Sequence, residues 1–224
     1  MATIAFTGTA TLSAIGYAQV LTKVQRDKMS PSDVLALMKK GNERFYRGKP
    51  EPHNFLAEQR ASAAGQYPAA VLLSCIDSRV AAETIMDLEI GDIFDNRVAG
   101  NVENSDVLGG MEFACKLEGA KVVLVMGHTT CGAITGAIAN EELGNLTGLL
   151  AKIKPAIEAT TYQGERTSQN VGFVNAVARK NVELTIANIR KGSPVLASME
   201  SSGTIKIAGA MYNLKTGVVD FFAG

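Results

Sequence analysis

Two spacings of apolar residues recur along the chain. Ser30-Pro31 offers a serine N-cap with a proline at the first helical position. Val34, Leu37, Met38, Gly41 and Phe45 then follow helical spacing. Residues 49–66 hold two prolines and a polar stretch, and they read as loop. Beyond them, short apolar runs alternate with helical patterns. AAVLLS (69–74) predicts a buried strand, 80–89 a short helix and DIFDNRVA (92–99) a second strand. Residues 106–117 predict a helix with Val107, Gly110, Met111, Ala114 and Leu117 on one face. KVVLVMG (121–127) is apolar on both faces and predicts a central strand. A helix follows over 131–140, broken by Gly144-Asn145, and further helix fills 146–159 and roughly 165–190. TIKIAGAMYNL (204–214), a Lys-Thr-Gly turn and VVDFF (218–222) predict a closing antiparallel strand pair. Strands that alternate with helices, apolar on both faces, imply an α/β fold: a mainly parallel sheet flanked by helices.

Composition narrows the class. The chain has 224 residues, enough for one large domain with a substantial core. Lys and Arg balance Asp and Glu at 22 each, so no net charge draws the chain to nucleic acid or an anionic membrane. Residues 1–22 carry no charged side chain and include IAFTGTATLSAIGYA. That run reads either as a remnant of a signal h-region, with small-x-small cleavage at Gly16-Tyr17-Ala18, or as an apolar helix packing on a partner. It is too polar for a membrane span. Residues 23–224 are expected to form a single α/β domain.

The candidate chemistry sits where strands stop. In open parallel sheets ligands gather beyond the carboxyl ends of the strands. Cys75 ends one predicted strand and opens Cys75-Ile76-Asp77-Ser78-Arg79; His128 ends another and opens His128-Thr129-Thr130-Cys131. Each motif alone has an ordinary reading: a core cysteine, a chance His-x-x-Cys pair. On one rim, a neutral imidazole and two thiolates make three ligands of the kind zinc prefers, with a fourth position open. Arg79 can grip the Asp77 carboxylate bidentately. Three widely spaced cysteines do not make a disulfide framework. Cys115 is expected in the core, and His53 solvated in its loop.

Cys-x-Asp-x-Arg followed some fifty residues later by His-x-x-Cys resembles the β class of carbonic anhydrases. GNERF (41–45), GDIFDNRVAGN (91–101), GGMEFA (109–114) and GHTTCGA (127–133) support the resemblance, which runs from about residue 30 to 215. It implies one Zn²⁺ per subunit held by Cys75, His128 and Cys131, with Asp77 and Arg79 as the catalytic dyad. It also implies a closed state in which Asp77 becomes the fourth ligand. The implied reaction is reversible hydration of CO₂ to bicarbonate and a proton, with zinc-bound hydroxide as nucleophile. The same site admits carbonyl sulfide or carbon disulfide hydrolysis as an alternative, or a non-catalytic zinc module. By offset, Gln66 and Phe94 fall on substrate-pocket positions, and Gly132 leaves room for a small substrate. The resemblance further implies a homodimer or homotetramer. LTKVQRD (21–27) and AAGQYPAAVLLSCIDSR (63–79) look most like exported bacterial members, which favours a periplasmic location over a cytoplasmic one.

Overall fold

The computed structural model describes residues 20–223, so most of the uncharged N-terminal segment, residues 1–19, lies outside the described residues. Helix α1 (Lys23–Lys28) opens with a Thr22 capping box and α2 (Pro31–Tyr46) with a Ser30 capping box. The apolar stripe seen in the sequence brings Val34, Met38 and Gly41 of α2 into the core, with Leu37 and Phe45 partly buried; Leu35, outside that stripe, is buried as well. Gly41 sits on the same face because nothing larger fits: a Cβ there would lie 1.7 Å from the Met86 carbonyl oxygen.

Among the described residues five strands form one sheet in the order β2-β1-β3-β4-β5. They are β1 (Ala70–Ser74), β2 (Ile93–Arg97), β3 (Val122–His128), β4 (Lys206–Tyr212) and β5 (Val219–Ala223). All neighbours pair in parallel except β4 with β5, which are antiparallel. The α/β expectation therefore holds, with its closing strand pair. Every residue of β1 and β3 is buried, which is why both read as unbroken apolar runs. The pleat sorts alternate residues into two cores. Val71, Leu73, Val123 and Val125 face one, against α5 (Ser105–Glu112), α6 (Gly132–Ala139), α8 (Lys154–Ala159), α9 (Val171–Gly192) and α10 (Pro194–Ser201). Leu72, Leu124 and Met126 face the other, against α2 and α4 (Ala82–Ile85). Each such side chain contributes about 1.5–3 kcal/mol by leaving water.

The helices depart from the sequence pattern in several places. The predicted 80–89 helix shrinks to α4, which ends at Ile85 with Met86 as C-cap, and Asp87 beyond it takes a left-handed φ of 48°. The 106–117 helix widens after Glu112 into π-type turns over Phe113–Leu117. The 131–140 helix ends at Asn140, itself left-handed, and Gly144-Asn145 begin α7 (Gly144–Ala151) rather than only breaking a helix. The 146–159 segment is two helices, α7 and α8. Helix α9 starts at Val171, where Asn170 caps Gly172 and Phe173.

Among the described residues three helices escaped the pattern altogether: α1, α10, and α3 (Phe55–Ser62) inside the expected loop. The buried residue of α3 is not apolar but Glu58. His53, expected to be solvated, is instead held at 3.2 Å from Glu58 and 3.0 Å from Asp87, both of whose side chains are 1% exposed. Arg44 completes the cluster by donating to Asp87. Among the described residues no helix is long and apolar enough to cross a membrane.

Candidate metal centre

Strands β1 and β3 are parallel neighbours, with Ser74 opposite Met126. Cys75, just past β1, and His128, the last residue of β3, therefore emerge on the same rim. A tight turn through Thr129 and Thr130 brings the chain back to Cys131, the N-cap of α6. Thr130 adopts a left-handed φ of 51°, a conformation that costs a β-branched residue about 1–3 kcal/mol and persists only when its surroundings hold it. Here its N–H donates to Asn175 of α9, and the Thr129 hydroxyl accepts from the Leu214 N–H.

The turn gathers one ligand atom each from Cys75, His128 and Cys131, all within 4.8 Å of one another, on residues 4%, 0% and 1% exposed. The sulfurs are 3.9 Å apart. Two thiolates bound tetrahedrally to zinc at the usual Zn–S length would be separated by about 3.8 Å. The imidazole is prepared in the same sense. His128 Nδ1 lies 2.9 Å from the Thr129 carbonyl, which fixes the proton on Nδ1 and leaves the Nε2 lone pair free. That Nε2 is buried and, among the described residues, has no hydrogen-bond partner, a costly arrangement unless a cation takes the lone pair.

The surroundings favour negative charge at the sulfurs. Gly100 directs its N–H to Cys75 Sγ at 3.4 Å. The Cys75 thiol falls to about 4, chiefly through the hydrogen bond from Cys131, with the backbone N–H groups of Gly100 and Asp77 adding to it. The same bond and burial raise Cys131, opposed by the Ala133 and Ile134 N–H groups at the start of α6. The pair thus gives up one proton easily and keeps the second, which a divalent metal would displace. Cys115, by contrast, is pushed up to about 12 by burial alone and belongs to the core, as its helical position suggested.

Asp77 stands beside this cluster, with Oδ2 3.8 Å from His128 Nε2. Arg79 holds both carboxylate oxygens, Nε to Oδ1 at 2.9 Å and Nη2 to Oδ2 at 2.7 Å, and its backbone N–H adds a third bond to Oδ1. The Arg79 guanidinium keeps Asp77 well below the usual carboxylate range. Arg97, which the motifs did not single out, donates to the carbonyls of Cys75 at 3.1 Å and Asp77 at 2.6 Å. It staples the segment that carries both a candidate ligand and the acid.

A cleft of about 360 Å³ opens onto Cys75 and Asp77, lined largely by Ile76, Ala99, Ala133, Leu146 and Leu150. Gly132 forms part of its wall, and a Cβ there would meet nothing within 4 Å. Phe94 is elsewhere: it lies on β2, edge-on to Phe113 with ring centroids 5.9 Å apart. Gln66 is exposed in the segment leading into β1, so the length of that strand separates it from Cys75.

Comparison with known proteins agrees with this architecture. The family model described as carbonic anhydrase matches residues 70–219. Carbonic anhydrase 2 of Mycobacterium tuberculosis is 35% identical over 182 residues, covering 80% of this chain and 87% of that protein. A carbonic anhydrase of Mycolicibacterium smegmatis is 32% identical over 185 residues, covering 82% and 89%. In fold, the chain resembles a tetrameric β-carbonic anhydrase of Sordaria macrospora, with a TM-score of 0.65 at 22% identity over 85% of this chain and 96% of that one. A helix-flanked sheet with a Cys/His/Cys cluster on its rim defines a class of metal-dependent lyases. The chain belongs to that class, the β-class carbonic anhydrases, and is a carbonic anhydrase enzyme.

Proposed function

We propose that the protein catalyses reversible hydration of CO₂ to bicarbonate and a proton, with one Zn²⁺ per subunit held by Cys75, His128 and Cys131. The orphaned, fully buried Nε2 of His128, facing two sulfurs 3.9 Å apart, carries the reading. Zinc in such a site lowers the pKa of water and so supplies a hydroxide nucleophile near neutral pH. Asp77 accepts the hydrogen that orients the nucleophile, and Arg79 holds Asp77 ionised and in place. The apolar walls of the cleft suit an uncharged linear substrate, and Gly132 leaves space for it. Phe94, edge-on to Phe113, does not line this cleft, so a substrate role for it needs the pocket of a second subunit. Gln66 reaches substrate only in the pocket of a second subunit, because its own lies at the far end of β1; this favours a dimer or tetramer, like the tetramers of the Sordaria proteins.

The test is stopped-flow CO₂ hydration on zinc-loaded protein from pH 6.5 to 9, with Cys75→Ser as control. Fast hydration in the wild type and none in the control is expected. Two thiolates offset the charge of the metal, so the rate should rise toward alkaline pH. A profile already flat at pH 7, or stoichiometric zinc without hydration, would overturn the proposal.

A further inference from the structure

Helix α9 reaches the metal cluster without giving it a ligand. Two of its asparagines bond to the backbone of the two turns beside the cysteines. Asn175 Oδ1 accepts from the Thr130 N–H at 2.9 Å, and Thr130 is the left-handed residue directly before Cys131. Asn181, 3% exposed, donates from Nδ2 to the Gly100 carbonyl at 2.7 Å. Gly100 in turn directs its own N–H to Cys75 Sγ. The six-residue spacing places the two side chains about 120° apart around the helix, so they address separate turns.

Each turn holds a residue at positive φ, and outside bonds supplement what the turn makes itself, such as the Asn101 N–H to the Val98 carbonyl at 2.7 Å. Gly100 has a φ of 68°, and a Cβ there would also meet Ile153 at 2.8 Å, so the residue gains nothing from side-chain packing of its own. Thr130 is held left-handed despite its branched side chain. The helix behind them is firmly seated: Phe173, Val177, Val182, Ile186 and Ile189 are all fully buried. An N–H aimed at a thiolate disperses its charge and fixes its direction, and groups that orient ligands in this way typically set metal affinity by about 10–100-fold.

We propose that Asn175 and Asn181 are positioning residues for the metal. Asn175 holds the turn that aims Cys131, and Asn181 holds the peptide whose N–H steadies Cys75. The inference rests on the metal reading of the site given above.

The experiment measures zinc affinity of the full chain by chelator competition and the thiolate-to-metal absorption of the cobalt(II) form. Asn181→Leu and Asn175→Ala should each weaken zinc binding by about tenfold or more and shift the cobalt band. Asn175→Asp keeps the acceptor for Thr130 and should bind as the wild type does. Ile189→Val is the control. Ile189 also lies on α9, fully buried and about two turns beyond Asn181, and its apolar side chain bonds neither turn, so its truncation should lower the melting temperature without moving affinity or spectrum. Asn175→Ala keeps the test decisive if Asn181→Leu fails to fold. Asparagine variants that bind zinc within twofold of wild type overturn the inference alone. So does a loss of affinity that merely follows melting temperature, with Ile189→Val losing as much. Wild-type protein that binds no metal overturns the proposed function and the inference together.

Discussion

Asp77 is fastened from two directions. Arg79 takes its carboxylate and Arg97 takes its carbonyl, so neither the charge nor the position is left to solvent. Its pKa lies below that of the unfolded chain, so it is ionised above that depressed value and loses its charge only as pH falls through it. Between pH 6.5 and 9 it does not titrate. An Asp77→Asn variant should therefore bind zinc normally, turn over about 10–100-fold more slowly, and keep the wild-type inflection in its rate profile. Metal analysis beside a pH–rate series checks all three, and an inflection that vanishes with the carboxylate would assign it to Asp77 instead. The acid and its guanidinium partner were legible in the sequence because they sit two residues apart. Arg97, Asn175 and Asn181 were not, because each bonds to backbone groups that come near only after the strands pair and α9 packs.

Among the elements, the contact of α2 with the 86–88 turn tolerates no added atom. Gly41→Ala should cost the upper part of the ~1–3 kcal/mol typical of overpacking, since the clash is with a carbonyl oxygen rather than a movable side chain. Urea unfolding measures this, and an unchanged midpoint would show that α2 can slide. Helix α3 depends on charge instead. The His53 pKa is raised chiefly by its hydrogen bond to Asp87, so the folded state binds that proton more tightly than the unfolded chain. The stabilisation is complete below the unfolded value of 6.5 and fades as pH climbs through the raised one. His53→Gln should lose on the order of 2 kcal/mol at pH 6, the scale of a charge-assisted hydrogen bond, and much less at pH 9. Thermal melts at the two pH values test the sign. The same chemistry explains why α3 was invisible in the sequence. Its buried contact is a carboxylate, whereas α2, β1 and β3 announce themselves through apolar spacing. Helix α10 hid for a related reason: only Leu196 of its eight residues is fully buried. Strands β1 and β3 were read nearly to their ends because cover on both faces leaves them almost wholly apolar, whereas the edge strand β2 was read despite Asp95, Asn96 and Arg97.

Across the whole molecule, the three candidate ligands stand at 75, 128 and 131, and the chain between them runs out through β2 and α5 before returning along β3. A metal there ties the end of one central strand to the end of its neighbour and to the start of a helix. An unfolded chain would hold Cys75 far from His128 and Cys131, so a bound ion favours the folded form, where all three meet. Free zinc at a hundred times its dissociation constant would then add about 2.7 kcal/mol to stability. Stripping the metal should lower the melting temperature, by about 2–4 °C per kcal/mol lost for a chain of this size. Titrating zinc back should raise it logarithmically, and a melting point indifferent to zinc would remove the ion from the fold. A site buried between two strands thus acts as a gauge: the resistance of the protein to heat would report how much free metal surrounds it.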